Sequence, residues 1–256
     1  MLGIYENFIG YMPEHRFELF SNADNEVDFK KALLVKPRDW YYRTANIVYN
    51  RNGLGHRSKE IKDIDLDNYF LVTGCSITEG IGLELEKTYP YLLSKIYNCD
   101  YYNLAIAGSG IDTIMHNLII WISKVKKKPK FVVIQVPTLA RYITVNPSQD
   151  PYTTHSDHLH VVTNTITSDS TETVNFILAG ESVRFFESRF RYAQMQYNYL
   201  LDSPIVEVHV ELPINLSNQI ALDLVDRARD YHPGINTHYA LSNKIAKCLQ
   251  TNYNIV

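Results

Sequence analysis

Tyr69-Phe70-Leu71-Val72-Thr73-Gly74-Cys75-Ser76-Ile77-Thr78-Glu79-Gly80 is the stretch on which the reading of this chain turns. Its first five residues are mostly aromatic or β-branched, the composition of a strand buried on both faces. The strand breaks at Gly74 and delivers Ser76 into a loop at its C-terminal end. Ligands of open α/β sheets collect at that end. A Ser hydroxyl there stands among loop N–H groups, which is where a nucleophile is needed. A plain strand-to-helix turn, with Ser76 and Thr78 capping the next element, would use the same residues.

Working outward, strands and helices alternate. A helix is expected over 88–97, with Thr88 at its cap and Pro90 in the first turn, where the missing N–H costs nothing. A strand follows over 101–106, then a helix over 111–125 with Ile111, Met115, Leu118, Ile119, Ile122 and Val125 as its stripe. Pro129 stops that helix, and 131–136 is an almost continuously apolar strand. Residues 137–175 are polar and rich in Thr and His, with room for a hairpin through 158–166. A helix over 181–200 carries Val183, Phe186, Phe190 and Tyr197 on one face. Residues 206–212 alternate like a strand, and a last helix over 235–249 spaces Leu241, Ile245 and Leu249 at i, i+4, i+8. Repeated βα units predict a three-layer α/β/α sandwich around a central parallel sheet, spanning 67–256. Residues 1–66 have weak periodicity. Short strands at 32–35 and 45–49, and a turn at Asn52-Gly53 and Gly55, suggest an N-terminal extension packed on the main domain.

Composition narrows the function classes. The 256 residues can bury a substantial core, and 45% hydrophobic with 21% charged residues is ordinary for a soluble globular protein. A formal net charge of -3 argues against nucleic-acid binding by phosphate neutralisation. The run Lys124-Val125-Lys126-Lys127-Lys128 reads as a solvated helix end, where cations suit the dipole. Cys75, Cys99 and Cys248 are too few and too scattered for a disulfide framework. No apolar run approaches the ~20 residues of a membrane span, and residues 1–20 lack a signal layout. The expectation is a cytoplasmic protein with neither a membrane nor a nucleic-acid partner.

Two further strand-end stretches carry chemistry. Asn103-Leu104-Ala105-Ile106-Ala107-Gly108-Ser109-Gly110 leaves exposed N–H groups before a helix, suited to an oxyanion. A tight βα turn is the plainer reading, and the spacing excludes a dinucleotide fingerprint. Asp226-Arg227-Ala228-Arg229-Asp230-Tyr231-His232-Pro233-Gly234 lies between the last strand and the last helix. Pro233 pushes His232 into extended geometry, from which it can lean across the strand ends towards Ser76. A His beside a Ser hydroxyl takes its proton, and a carboxylate on the far nitrogen sets the tautomer. Asp230 is the nearest carboxylate and, in extended chain, faces the same side. Both residues could instead cap the final helix.

Taken in order on three strand ends, these stretches resemble the SGNH (GDSL-like) hydrolase family. The family's Gly-Asp-Ser block reads Gly74-Cys75-Ser76 here, with Thr78 and Gly80 following. Gly108 matches the second-block oxyanion donor, and Asp230, His232 and Pro233 match the fifth block, Asp-x-x-His-Pro, one residue short. Asn52-Gly53-Leu54-Gly55-His56-Arg57-Ser58 looks like a segment found in some members. The resemblance implies a flavodoxin-like SGNH hydrolase fold and a serine esterase acting on a small-molecule or glycan ester, such as an O-acetyl group, without a cofactor. Ser76 would be the nucleophile, His232 the general base and then acid, and Asp230 the orienting carboxylate, with Asp226 as fallback. The N–H groups of Ser76 and Gly108 would hold the oxyanion.

The sequence departs from the pattern in the third block, where Leu139 stands in place of an Asn donor. Thr138, Gln135 or Arg141 are the candidate replacements, and Thr138 and Arg141 are candidate substrate contacts. An acyltransferase using the same triad, or a ligand- or glycan-binding protein with weakened turnover, are the alternatives. His155, His158 and His160 could ligate a metal but lack a defined fourth ligand, so no metal is expected. Cys75 could serve as nucleophile, yet nothing marks it as a low-pKa thiol. His116 reads as a surface or interface residue.

Overall fold

A computed structural model describes residues 2–11, 16–17, 20, 24–137, 141–146, 160–165, 182–210, 217–229 and 232–256. In chain order the strands are β1 (Leu2–Tyr5), β2 (Phe8–Tyr11), β3 (Arg16–Phe17), β4 (Tyr49–Asn50), β5 (Tyr69–Thr73), β6 (Asp100–Asn103), β7 (Val132–Val136), β8 (Arg141–Asn146), β9 (His160–Thr165), β10 (Ile205–His209) and β11 (Gln219–Ala221). The α-helices are α1 (Glu26–Val35), α2 (Ser76–Glu79), α3 (Tyr89–Ile96), α4 (Ile111–Lys124), α5 (Ser182–Leu200) and α6 (Ile235–Tyr253).

Five parallel strands form the central sheet in the order β11-β10-β7-β5-β6. Alternate residues of each strand enter different cores, because strand side chains alternate between faces. Tyr69, Leu71, Val132, Ile134 and Ile205 pack with Leu118 and Trp121 of α4 and Phe190 and Tyr197 of α5. Phe70, Val72, Val133, Val206 and Val208 pack with Tyr89 and Leu93 of α3 and with Leu241, Ile245 and Leu249 of α6. One sheet with helices on both faces makes three layers, as expected. Counting only its own strands in chain order, the sheet runs 2-1-3-4-5, the flavodoxin-like order. The chain builds outward from β5 first on one side and then on the other, so the switch point lies between β5 and β7.

The stripe of α4 differs from the expected one: Ile114 and Trp121 join it and Ile119 leaves it. Ile111, Ile114, Met115, Leu118 and Trp121 are buried, whereas Ile119 is 44% exposed. The helical repeat of 3.6 residues carries position 119 away from the line through 111, 115 and 118. Strand β6 ends at Asn103, sooner than expected, because the Asn103 side chain turns back on its neighbours. Its Nδ2 donates to Thr78 O (2.9 Å) and its Oδ1 accepts from Ala105 N (3.0 Å).

The N-terminal region departs most from expectation. Residues 32–35 are the last turn of α1, not a strand. Asn25 starts that helix by accepting from the N–H groups of Val27 and Asp28, and Glu26 and Asp28 suit its first turn. Leu34 and Val35 are 86% and 79% exposed, so no sheet face buries them. Of 45–49 only Tyr49 is in a strand, paired with Phe17. Strands β1 and β2 form a hairpin around Glu6 and Asn7, both at positive φ as a two-residue hairpin turn requires. With β9 and β8 they complete a second, antiparallel sheet, order β2-β1-β9-β8. Strand β8 had no counterpart in the sequence reading, and where a hairpin through 158–166 was expected, residues 160–165 form the single strand β9, paired with β8. The hairpin docks on α4 through Asn117, whose amide accepts from Ile9 N and donates to Ile9 O, both at 2.9 Å. His116 faces Asn7 O at 2.7 Å, an interface residue as expected.

Candidate active site

Ser76 opens the single-turn helix α2 directly after β5, at the switch point. Two close approaches explain Gly74. A Cβ there would lie 2.5 Å from Thr78 Oγ1 and 2.7 Å from Gln135 Cβ. Gln135, on the adjacent β7, is fully buried and bonded at both ends of its amide. Its Oε1 accepts from Cys75 N (2.9 Å) and Cys75 Sγ (2.9 Å), and its Nε2 donates to Val136 O (2.8 Å). With both ends of its amide bonded in this way, Gln135 anchors the Ser-bearing turn. The Cys75 thiol spends its hydrogen on Gln135, and the Ser76 hydroxyl lies 3.9 Å from Cys75 Sγ. Gly80 ends the turn in the left-handed region (φ 78°), closing it with its N–H on Ser76 O and Ile77 O.

Gly108 also has a positive φ (82°), in the turn closed by Ser109 N donating to Ile106 O at 3.1 Å. That third turn position favours glycine. The two loops are tied together. Ala107 N donates to Glu79 Oε2 (2.7 Å), and Ile106 N to Gly74 O (3.4 Å). Glu79 is buried and also accepts from Arg51 Nη2 at 2.8 Å, an ion pair closed to water. Arg57, also buried, donates to four carbonyls, Glu79 O, Gly80 O, Val48 O and Leu83 O, and lies over the Tyr49 ring at 4.5 Å. Among the described residues, neither the Ser76 nor the Gly108 amide N–H has a hydrogen-bond acceptor.

His232 is half-buried in a loop that folds back on itself. Gly234 N donates to Asp226 O (3.0 Å), Arg227 pairs with Pro233, and Ala228 N donates to His232 O (2.7 Å). Asp226, the fallback orienter, caps α6. Its carboxylate accepts from Asn236 N, Thr237 N and Thr237 Oγ1, in the space a side chain at Gly234 would fill. His232, Asp226 and Arg57 share one electrostatic neighbourhood with His238, whose pKa is lowered to about 3, first by burial. Tyr89 N donates to His238 Nδ1 (3.0 Å), which leaves the ring hydrogen on Nε2. His56 is likewise buried and lowered to about 4; its ring meets Tyr102 OH and Ile9 O.

Asp230, Thr138, Leu139, His155 and His158 lie outside the described residues; Arg141 opens β8 and His160 opens β9. Three residues before His232, where the family pattern has Asp, stands Arg229. It is buried against Asp24, with Nε at 2.9 Å from Oδ2 and Nη2 on the same oxygen. Sequence reasoning missed Glu79, Arg51, Asp24 and Arg229, and named Gln135 only as a replacement donor, not as the anchor of the turn. Glu79, Arg57 and Arg229 lay in stretches already singled out, but with no role given to them. Among the described residues no group of His, Cys, Asp and Glu could hold a metal ion, and no helix is long and apolar enough to cross a membrane. The cleft lined by Leu201, Pro204, Ile205, Asn218 and Tyr253 lies at the opposite end of the sheet, where β10 begins.

The architecture is that of a doubly wound α/β protein with a Ser-bearing turn at its switch point. No family model and no curated protein matches the chain. Several solved structures do. A carbohydrate esterase family 2 enzyme from Myceliophthora fergusii is 14% identical, with 79% of this chain and 71% of that one covered, at a TM-score of 0.45. A family two carbohydrate esterase from Clostridium thermocellum, in complex with cellohexaose, is 13% identical over 75% and 66%, at 0.47. The psychrotrophic esterase EstA from Pseudoalteromonas sp. is 14% identical over 73% and 100%, at 0.45. This chain therefore spans about two thirds of the length of the clostridial enzyme.

Proposed function

We propose that this protein is a serine esterase of the SGNH type. Ser76 attacks an ester carbonyl; His232 takes the hydroxyl proton and later returns it to the leaving alcohol, with Asp230 orienting the imidazole. The N–H groups of Ser76 and Gly108 receive the oxyanion of the tetrahedral intermediate. Arg141 and Thr138 contact the substrate, an ester or O-acetyl group on a small molecule or glycan. The observation that carries this reading is the pair of unengaged amides on two loops held in mutual register. Glu79 and Gly74 tie the Ser76 turn to the Gly108 turn, and neither amide has an acceptor among the described residues. Donors fixed before reaction cost no reorganisation when charge develops.

The test is hydrolysis of short-chain p-nitrophenyl esters by the wild type and Ser76→Ala, with covalent labelling by an organophosphonate. Turnover and labelling are both expected in the wild type and absent in the variant. A folded wild type that does neither overturns the esterase reading in favour of ligand binding, and acyl transfer to an added sugar in preference to water would make it a transferase.

A further inference from the structure

Asp24 belongs to the N-terminal region, 205 residues away in sequence from the loop it touches. Its carboxylate is completely buried. On one side it receives the Arg229 guanidinium through Nε (2.9 and 3.2 Å) and Nη2. That guanidinium lies over the rings of Phe20 (4.3 Å) and Phe29 (5.5 Å), so it has little freedom to turn. On the other side Asp24 Oδ2 accepts from Tyr49 OH at 2.6 Å, and Tyr49 OH accepts in turn from Gly82 N at 2.9 Å. Arg229 is three residues from His232, in the loop closed by Ala228 N on His232 O. Gly82 is six residues from Ser76, in the loop that Arg57 holds through Gly80 O and Leu83 O. Beneath both loops, Tyr42, Ile47, Tyr49, Ile81, Leu83, Ile106, Ala107 and Ala228 form one small apolar core.

We infer that Asp24 is a positioning residue: one buried carboxylate couples the loop bearing His232 to the loop following Ser76. The two halves of the proposed dyad come from different ends of the chain, and no backbone hydrogen bond among the described residues joins their loops directly. The path Arg229–Asp24–Tyr49–Gly82 supplies that connection from outside the main sheet. Misplacing a catalytic group by about 1 Å can cost on the order of 100-fold in rate. A loosened joint therefore acts on kcat, while the substrate's other contacts keep KM. The inference rests on the esterase reading for its effect on rate, but the coupling of the two loops can be measured without turnover.

The test uses the full chain as wild type, Asp24→Asn, Arg229→Lys and Tyr49→Phe. Asp24→Asn and Arg229→Lys are expected to lower kcat and the organophosphonate labelling rate together by about tenfold or more, with KM within about twofold. Tyr49→Phe, which keeps the ring under Arg57, should show a smaller loss of the same form. In parallel, amide hydrogen exchange is followed in peptides covering 80–84 and 226–234. Protection is expected to fall in both loops in every variant, including variants of an inactive wild type. Variants that melt at a lower temperature yet keep kcat, or loosen one loop only, overturn the inference. A wild type that neither labels nor turns over removes the esterase reading alone, and the paired exchange then decides the coupling. If Asp24→Asn does not fold, the other two variants decide both readouts.

Discussion

Glu79 is the side chain whose replacement should report most clearly on how the site is held. Its carboxylate pairs with Arg51 at 2.8 Å, with side-chain exposures of 0% for Arg51 and 1% for Glu79, and its other oxygen receives Ala107 N at 2.7 Å. Glu79→Gln keeps the shape but removes the carboxylate charge 2.8 Å from Arg51 Nη2, and one amide oxygen cannot replace the two carboxylate oxygens that receive Arg51 and Ala107 N. Breaking a buried ion pair on one side costs about 3–5 kcal/mol, because the remaining charge stays desolvated. For a chain of this size each kcal/mol moves Tm by about 2–4 °C, so Glu79→Gln should melt roughly 6–20 °C below wild type. Urea unfolding at pH 7 followed by fluorescence gives the free energy directly, with an unchanged slope required for the comparison. The double variant Glu79→Gln with Arg51→Met should recover part of the loss, since it removes the desolvated guanidinium that the single variant leaves behind. A Glu79→Gln loss under about 1 kcal/mol, or a double variant as unstable as the two single losses added, would refute the reasoning.

Three further outcomes follow from the same geometry. Gly74→Ala should destabilise by about 1–3 kcal/mol, as overpacking does, because its Cβ would lie 2.5 Å from Thr78 Oγ1 and 2.7 Å from Gln135 Cβ; urea midpoints check it. Gln135→Leu should leave Cys75 N without its acceptor and lower kcat on p-nitrophenyl esters by about tenfold or more, with unchanged kcat counting against the anchoring role. Burial lowers the pKa of His56 to about 4 and of His238 to about 3, from 6.5. Between those values and pH 6.5 the unfolded chain binds the extra proton, so this stability is complete above about pH 6.5 and is lost as pH falls towards the folded values. Acidification from pH 7 to 5 should cost about 2 kcal/mol per histidine, and His238→Gln should remove about half of the combined slope; an unfolding free energy flat between pH 7 and 5 would contradict both assignments.

Much of the architecture was legible because it is written in local pattern. The run through Tyr69–Thr73, the break at Gly74, Pro90 at the start of α3 and the spacing of Leu241, Ile245 and Leu249 each describe residues close in sequence. Short or weakly patterned pieces were not legible. Strand β11 has three residues, β8 lies within the 137–175 stretch read as polar, and 32–35 is apolar enough for a strand until Asn25 caps it into a helix. The same division runs through the site. Ser76 and Gly108 stand out because strand ends and glycine turns mark them. Glu79, Gln135, Arg51 and Asp24 carry no such mark, since a buried polar side chain is recognisable only by the partner that compensates its desolvation.

The sequence by itself determined the βα order, the placing of Ser76 after the first sheet strand, and a His-Pro ahead of the final helix. It could do so because helical and strand periods, and the backbone limits of Gly and Pro, act over a few residues. Only the tertiary structure decided the strand order that puts Ser76 at the switch point, the anchoring of its turn by Gln135, and the union of Asp24 with Arg229. Those depend on which distant groups meet when the cores close. A buried charge is stable only beside a partner that folding brings from elsewhere in the chain.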